Sequence, residues 1–204
     1  MLNQNFSIQE PSAAEKALIT SSLNLFIIHN EKKITVTQLI KSAGVAKSVF
    51  YKYFESKEDL YAAILLNDEL QLSPIFSHLK IYGTVSELLE SYLNFRIQQI
   101  DKYRVLTRLE QTLMEKNCNS ERYLQWQVLR RQHVDEFTGI VQSKMPKSKP
   151  IDAENIRFYY GLVWALASGF SQLSESDFFH ELILDRRGFT RFLLESVNVL
   201  GKLK

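Results

Sequence analysis

The chain has 204 residues, 45% of them hydrophobic, and a formal net charge of +2 at pH 7, so it can bury a sizeable core in one domain or two closely packed ones. The first ten residues carry no basic segment or long apolar run, and the most apolar stretch, residues 161–170, is too short to span a bilayer. The one cysteine, Cys118, precludes an internal disulfide and has no metal-ligand spacing around it. We therefore expect a soluble cytoplasmic protein that holds no metal or other cofactor.

Residues 35–57 have the pattern of two short helices joined by a turn. Thr35 and Gln38 have the spacing of a capping box, in which each side chain accepts a hydrogen bond from the backbone N–H of the other. Gly44 lies where the chain must leave the first helix, and glycine tolerates the left-handed conformation needed there best. Apolar residues then recur at helical rather than strand spacing, at Val49, Phe50, Tyr53 and Phe54. Ser56 and Asp59 have the spacing of a further cap, before the next apolar run. The pattern of residues 35–57 predicts a helix-turn-helix.

The second helix of this pair keeps a polar outer face, formed by Lys47, Ser48, Tyr51 and Lys52. A helix-turn-helix motif binds DNA when such a free face can enter a groove. Residues 32–57 contain six lysines and one acidic residue, a local formal charge of +5. A basic patch on an otherwise balanced chain is typical of phosphate binding, so we predict a DNA-binding motif.

Arginine is absent from this motif, because the first arginine of the chain is Arg96. The motif therefore cannot make the bidentate arginine–guanine contact, which is the commonest specific readout. We expect Lys47, Ser48 and Val49 to read bases, with Tyr51 or Lys52 as further candidates. This composition leads to the hypothesis of an operator richer in A·T pairs than average.

The signature of a known family is carried by Thr35-Val36, Ala43-Gly44-Val45, Lys47, Phe50-Tyr51, Tyr53-Phe54 and Ser56-Lys57-Glu58-Asp59-Leu60. Over roughly residues 12–65 the chain resembles TetR-type transcriptional regulators. The resemblance implies a supporting helix near residues 11–29, a recognition helix starting near Ala46, and a dimer that binds palindromic operators. It also implies that Tyr51 and Lys57 contact DNA phosphates. The predicted DNA-binding residues are thus Thr35, Lys47, Ser48, Val49, Tyr51, Lys52 and Lys57.

Three positions depart from the family pattern. The family often has serine where this chain has Ala46, and glycine followed by threonine where it has Ser48 and Val49. Without a hydroxyl at position 46, the recognition helix loses one possible cap or phosphate contact. We therefore leave Ala46 out of the predicted contacts.

Helical patterns continue along the rest of the chain, and no strand or repeat is predicted. A break is expected at Ser73-Pro74, and the predicted helices begin at Thr84 (capped by Glu87), near Tyr103, at Ser120, at Asp152 and near Gly188, the last two running towards Leu173 and Leu203. Residues 145–150 form the clearest linker. We predict an all-α fold, with a three-helix DNA-binding domain at residues 11–65 and a helical regulatory and dimerisation domain at residues 66–204.

The middle helices carry enough aromatic surface to line a cavity for a flat or apolar ligand. The candidates are Tyr92, Phe95, Tyr123, Trp126, His133 and Phe137. Ordinary core packing is the alternative for these residues. A pocket for an unidentified small-molecule effector, apolar or aromatic, is what the resemblance implies.

The helix that starts at Asp152 is apolar on nearly every side, which indicates a core on one face and a partner subunit on another. Gly161, Ala165 and Gly169 recur every fourth residue and would allow close approach of another helix. The last helix adds Phe189, Phe192 and Leu193. The resemblance implies that these two helices form the interface of a homodimer, whereas packing within one subunit is the alternative for the row of small residues.

These features predict a regulator that is not an enzyme: a repressor that binds a double-stranded operator as a homodimer and is released by a small molecule. One alternative is a ligand-independent DNA-binding or partner-binding factor on the same fold. A more remote alternative is a helical carboxylate metalloenzyme, which would use Glu-x-x-His pairs. None of the four histidines has a glutamate three residues before it, and only Asp177 stands at that spacing from His180.

Overall fold

The computed structural model describes residues 11–145 and 152–200, and the regular structure within these ranges is entirely helical. Ten α-helices lie there: α1 (Ala13–Ile28), α2 (Val36–Ala43), α3 (Lys47–Tyr53), α4 (Lys57–Leu70), α5 (Leu72–Tyr82), α6 (Val85–Ile97), α7 (Ile100–Glu115), α8 (Glu121–Lys144), α9 (Ala153–Leu173) and α10 (Arg186–Leu200). The predicted all-α fold is confirmed. None of these helices combines the length and hydrophobicity needed to cross a lipid bilayer.

Several predicted helix ends need small corrections. The break expected at Ser73-Pro74 falls at Gln71, so Pro74 lies in the first turn of α5, where helices tolerate its missing N–H. Asp152 occupies the N-cap position of α9, but its side chain makes no capping hydrogen bond. A π-helical turn at Phe179–Ile183 was not predicted. Apart from Met145, the linker at residues 145–150 lies outside the described residues, as does the last helix beyond Leu200.

The chain divides into two compact units. Unit 1 contains the described residues up to Leu70 together with Val105–Leu129, and unit 2 contains Gln71–Arg104 with the described residues from Arg130 onwards. The division points therefore fall inside α7 and α8 as well as after α4. Residues 105–129, which the sequence analysis assigned to the regulatory domain, pack with the helix-turn-helix region. The functional boundary between residues 65 and 66 stays a prediction.

Unit 1 is held by a hydrophobic core to which every helix of the DNA-binding region contributes. Leu18 and Phe26 of α1, Phe50 of α3, Leu60 of α4 and Leu109 of α7 are all fully buried. The core reaches the motif because α2 and α3 both pack on α1. The orientation of α3 is therefore set by tertiary contacts rather than by α3 alone, which is too short to be stable by itself.

Unit 2 has a core of its own, rich in aromatic rings. Tyr92 of α6 stacks on Tyr160 of α9 with ring centroids 4.7 Å apart, and Phe137 of α8 meets Tyr160 edge-on at 5.4 Å. Phe76 of α5 adds an edge contact to Tyr92 at 6.0 Å. Helix α6 packs against α5, α9 and α10, so it lies at the centre of this unit.

Helix α9 is buried on one side only within the chain. Tyr160 and Val163 face the core of unit 2, whereas Phe158 is 62% exposed and Leu162 is 38% exposed. Gly161, Ala165 and Gly169 lie on the exposed side. A Cβ added at Gly161 or Gly169 would meet no atom within 4 Å from the neighbouring described structure. Packing within the described part of one subunit therefore does not explain this row of small residues.

The three residues predicted for the interface on α10 differ in burial. Leu193 is buried in the core of unit 2, and Phe189 packs against Phe170 with ring centroids 5.8 Å apart. Phe192 is 60% exposed. Leu193 and Phe189 thus serve the chain's own core, and of the three only Phe192 is largely exposed on the surface.

Candidate DNA-binding surface

The first helix of the motif begins and ends as its sequence predicts. The Thr35 hydroxyl accepts a hydrogen bond from the Gln38 N–H at 3.3 Å, and the Gln38 side-chain oxygen accepts one from the Thr35 N–H at 2.8 Å. Gly44 follows the helix with φ +66° and donates its N–H to the Lys41 carbonyl at 3.2 Å. The capping box and the left-handed glycine are both confirmed. They fix the short path from α2 into α3.

Helix α3, the predicted recognition helix, is anchored by two phenylalanines and exposes its polar residues. Phe50 and Phe54 are fully buried, with ring centroids 5.5 Å apart. Lys47, Ser48 and Lys52 are exposed, and Tyr51 is 52% exposed. Ala46 holds the N-cap position without a side-chain cap, as expected from its missing hydroxyl. The arrangement gives α3 a rigid inner side and an open, positively charged outer side.

Two predicted contact residues differ from this pattern. Val49 is half-buried and packs against the core of unit 1, so it is less accessible than Lys47 and Ser48. Thr35 is exposed, but its hydroxyl already takes part in the capping box. Its position at the start of α2 nevertheless keeps it on the surface of the motif.

The lysines of the surface lie against aromatic rings. The Lys47 ammonium is 5.9 Å from the ring centroid of Tyr51, and the Lys52 ammonium is 5.4 Å from that of Tyr53. Such cation–π contacts contribute about 0.5–1 kcal/mol at exposed sites and restrict where the charge can lie. The positive charges of α3 are therefore partly ordered before any partner arrives.

Lys57 differs from the other lysines because it is half-buried at the start of α4. Its ammonium lies 5.7 Å from the ring centroid of Tyr61, whose hydroxyl donates to the Glu31 carbonyl at 3.2 Å. Burial lowers the pKa of Lys57 below its ordinary value, while the carboxylates of Glu58 and Glu31 act in the opposite direction. A desolvated cation at a helix N-terminus is well suited to a phosphate oxygen.

The turn between α3 and α4 is closed by reciprocal side-chain caps. The Asp59 N–H donates to the Ser56 hydroxyl oxygen at 3.1 Å, which confirms the predicted cap. The Asp59 carboxylate accepts from the Glu55 N–H at 3.2 Å. This turn therefore connects the end of the recognition helix to α4 through hydrogen bonds on both of its sides.

Residues 105–129 add three basic side chains to unit 1 that the sequence analysis missed. Arg108 Nε donates to Glu31 Oε2 at 3.0 Å, Lys116 pairs with Glu58, and Arg122 pairs with Asp59 and Glu15. One feature of the sequence could have indicated these basic residues. The predicted DNA-binding region contains acidic residues that need positively charged partners: Glu15, Glu31, Glu58 and Asp59. Their partners could not be identified, because they lie dozens of residues away.

The six candidates for a ligand pocket do not form one group. Tyr123 and Trp126 stack on each other with ring centroids 5.4 Å apart in the core of unit 1. The other four belong to the core of unit 2: Tyr92, Phe95, His133 and Phe137. His133 is buried and its Nε2 lies 2.9 Å from the Ser73 hydroxyl oxygen. Two of the six candidates therefore belong to unit 1 and four to unit 2.

A cleft of about 610 Å³ lies elsewhere, in unit 1. Its walls are mostly polar and include Glu15, Glu55, Asp59 and Arg122, and none of the six aromatic candidates lines it. No group of three or more His, Cys, Asp or Glu side chains in the described ranges could hold a metal ion, so the metalloenzyme alternative finds no ligand set there.

A three-helix unit with a capped helix-turn-helix and an exposed basic recognition helix defines the class of helix-turn-helix DNA-binding proteins. Residues 18–64 match the model of the family described as bacterial regulatory proteins, tetR family. Residues 18–64 therefore match the DNA-binding region of this family, whose members are transcriptional regulators and not enzymes.

Comparisons over most of the chain find further similar proteins. The chain is 27% identical over 188 residues to the nucleoid occlusion factor SlmA of Mannheimia succiniciproducens, covering 87% of this chain and 84% of that protein. The fatty acid degradation regulator FadR from Bacillus halodurans has a TM-score of 0.68 at 16% identity, covering 95% and 96% of the two chains. FadR from Bacillus subtilis, solved in complex with stearoyl-CoA, has a TM-score of 0.64 at 18% identity, covering 91% and 96%. The structural likenesses establish a shared fold.

Proposed function

We propose that this protein is a TetR-type repressor that binds a palindromic operator as a homodimer and leaves it when a small molecule binds. The observation that carries the proposal is the two-sided build of α3. Phe50 and Phe54 fix its inner side, while Lys47, Ser48 and Lys52 face solvent. A recognition helix needs this combination, because its side chains can read base edges in a groove only when the backbone that carries them is held in place.

We assign different tasks to the residues of the surface. Tyr51 and Lys57 contact phosphates, as the family resemblance implies, and Thr35 supports them at the start of α2. Lys47 and Ser48 read base edges, with Lys52 as a further contact. Val49 contributes at most an apolar contact to a thymine methyl, since it is half-buried.

The homodimer is supported by the exposed apolar side of α9. Phe158, Leu162 and Phe192 are large apolar side chains that one chain leaves in water. Burying such side chains against a second copy is favourable by roughly 25 cal/mol per Å² of apolar surface. The row at Gly161, Ala165 and Gly169 would let the partner's helix approach closely. Dimerisation would also present two recognition helices to half-sites about 34–36 Å apart.

The small-molecule effector is supported by the fold shared with FadR from Bacillus subtilis, which was solved in complex with stearoyl-CoA. We propose an apolar or aromatic effector that binds among the aromatic side chains of unit 2, with Tyr92, Phe95, His133 and Phe137 as candidates. These residues pack as a core, so effector binding has to shift them and favour a conformation with lower operator affinity.

The test uses the purified full-length protein and duplexes from the region upstream of its own gene. Electrophoretic mobility shifts should reveal one specific complex, and analytical ultracentrifugation should give a mass of two chains on one duplex. A long-chain acyl-CoA and a set of planar aromatic compounds are then added in turn. Release by one of them supports the effector, whereas failure to bind any specific duplex contradicts the main proposal.

A second candidate function is a ligand-independent DNA-binding factor. It is favoured by the 27% identity to a nucleoid occlusion factor over 87% of this chain. Mapping of bound sites across the chromosome separates the two: a repressor should occupy one or a few promoter regions, whereas the alternative should occupy many dispersed sites and ignore the small molecules above.

A further inference from the structure

Arg122, near the start of α8, contacts two carboxylates from two other helices of unit 1. Its Nη1 donates to Asp59 Oδ2 at 2.7 Å, and its Nη2 donates to Glu15 Oε1 at 3.0 Å. The guanidinium carbon also lies 5.2 Å from the centroid of the Phe54 ring. Asp59 is only 4% exposed, so this group of charges is largely shielded from solvent. Arginine suits the position because its planar fork can serve two acceptors and stack on a ring at once.

Asp59 connects Arg122 to the end of the recognition helix. The oxygen that accepts from Arg122 is the one that accepts from the Glu55 N–H at 3.2 Å. Glu55 directly follows Phe54, the C-cap residue of α3, and the ring of Phe54 contacts that of Phe50. Arg122 is therefore connected to α3 in two ways. Asp59 links it to the backbone of Glu55, and the ring of Phe54 links it to that of Phe50.

The energetic consequence follows from burial. Burial raises the pKa of Asp59, and the positive charge of Arg122 acts against that rise. A buried carboxylate that loses its partner is strongly destabilised and must protonate, move or attract water. Any of these changes would disturb the hydrogen bond to Glu55 and with it the end of α3. By contrast, Lys116 pairs with Glu58 in a far more exposed position, where an ion pair contributes little.

We propose that Arg122 is a positioning residue for DNA binding: it holds the recognition helix in its operator-reading orientation through Asp59 and Phe54, although it belongs to neither helix of the motif. The inference rests on the proposed operator-binding function. It gives Arg122 an indirect part in DNA binding, beyond the regulatory and dimerisation role predicted for that part of the chain.

The first test measures operator affinity by fluorescence anisotropy on the duplex selected by the wild-type protein. Arg122→Ala should weaken binding by roughly tenfold or more, the scale expected when hydrogen bonds between charged groups are removed. Arg122→Lys should recover only part of this affinity. It keeps the positive charge, but one ammonium cannot span both carboxylates. Lys116→Ala is the matched control, since it removes a positive charge from the same stretch of chain, and it should stay within about twofold of wild type.

A double-mutant cycle with Asp59→Asn separates the proposed route from a general loss of charge. The asparagine oxygen can still accept from the Glu55 N–H, but it no longer balances the arginine. If Arg122 acts through Asp59, the double variant should bind no more weakly than the weaker single variant. Additive losses would mean that Arg122 acts on DNA binding by another route and would overturn the proposal.

Hydrogen exchange distinguishes positioning from a loss of overall stability. In Arg122→Ala, exchange at the Glu55 amide and along α3 should accelerate, while buried amides of α1 and α4 keep their protection. Uniform acceleration across unit 1, or unchanged operator affinity, would refute the proposal. If Arg122→Ala does not fold, the exchange rates of α3, α1 and α4 are compared in Arg122→Lys and Asp59→Asn instead. If the wild-type protein binds no duplex, the proposed function fails, and the exchange pattern still decides whether Arg122 positions α3.

Discussion

Helices α3 and α9 both turn one side to a core and the other to solvent, but their exposed sides are chemically opposite. On α3 the exposed residues are polar or positively charged, led by Lys47 and Lys52. On α9 they are apolar, led by Phe158 and Leu162. The charged side is stable in water and suits a polyanion, whereas the apolar side costs free energy until something covers it. The proposed function assigns the two helices two different partners, DNA to α3 and a second copy of the chain to α9.

The largest effect is expected from the inner side of α3. Phe50→Ala should lower the free energy of unfolding by about 3–5 kcal/mol, because it removes a fully buried ring. The neighbouring Tyr51→Ala is the matched control: Tyr51 is 52% exposed, so its removal should change stability little. Chemical denaturation monitored by circular dichroism measures both. Equal losses of stability would contradict the anchored arrangement of α3.

The next largest effect concerns the exposed side of α9. Leu162→Asp should raise the dissociation constant of the homodimer roughly thirtyfold or more, the range of a central interface residue, because a charge would be forced into an apolar contact. Gln111→Asp adds the same charge at an exposed polar position of α7, outside α9, and should leave the dimer intact. Sedimentation equilibrium provides the measurement. A Leu162→Asp protein that remains fully dimeric would remove α9 from the interface.

Within the charged surface, we expect phosphate and base contacts to behave differently. Lys57→Ala should weaken binding to all duplexes and flatten the slope of log K against the logarithm of salt concentration by roughly 0.9 for each phosphate that Lys57 neutralises. Lys47→Ala should instead change which sequence is bound best. Salt titrations of both variants on two different duplexes are sufficient. If the two variants lose affinity uniformly, the division into phosphate and base contacts is wrong.

A weaker expectation concerns the composition of the operator. Because the motif has no arginine, its most constrained positions should be richer in A·T pairs than random DNA. Selection of bound sequences from a random duplex library with the wild-type protein measures the base composition at those positions. Half-sites dominated by G·C pairs at those positions would contradict the hypothesis.

The smallest effect concerns Glu58, whose pKa is lowered mainly by its hydrogen bond to Lys116. A lowered pKa in the folded state means that the pair stabilises the protein above the unfolded-state pKa of glutamate and loses this contribution as pH falls through the folded-state pKa. Lys116→Ala should therefore raise the pKa of Glu58 in an NMR titration. The accompanying loss of stability at neutral pH should stay within about 1 kcal/mol and vanish in acid.

Local signals predicted the motif almost residue by residue. The capping box of Thr35, the left-handed Gly44 and the cap at Ser56 all involve partners within four residues, so neighbouring letters are enough to define them. Residues farther apart were predicted less well. Tyr123 and Trp126 were grouped with His133 because all lie on one long helix, yet they join a different core.

Periodicity also could not show which side of each apolar helix packs against its own chain. Helix α10 carries one apolar stripe, and its spacing does not show which members of the stripe meet the chain's own core, so Leu193 and Phe192 looked equivalent before their burial was known. The half-burial of Val49 against the core of unit 1 was not predicted either. The burial of these side chains depends on the volume and orientation of neighbouring helices.

The sequence by itself determined the helix-turn-helix, its basic charge, its lack of arginine and its match to a family of regulators over residues 18–64, because caps, turns and charge are properties of short segments. Only the tertiary structure decided that α9 exposes its apolar row and that Arg122 joins Glu15, Asp59 and Phe54 across long stretches of chain. Contacts of this second kind arise from the packing of whole helices, since the residues that meet share no local pattern.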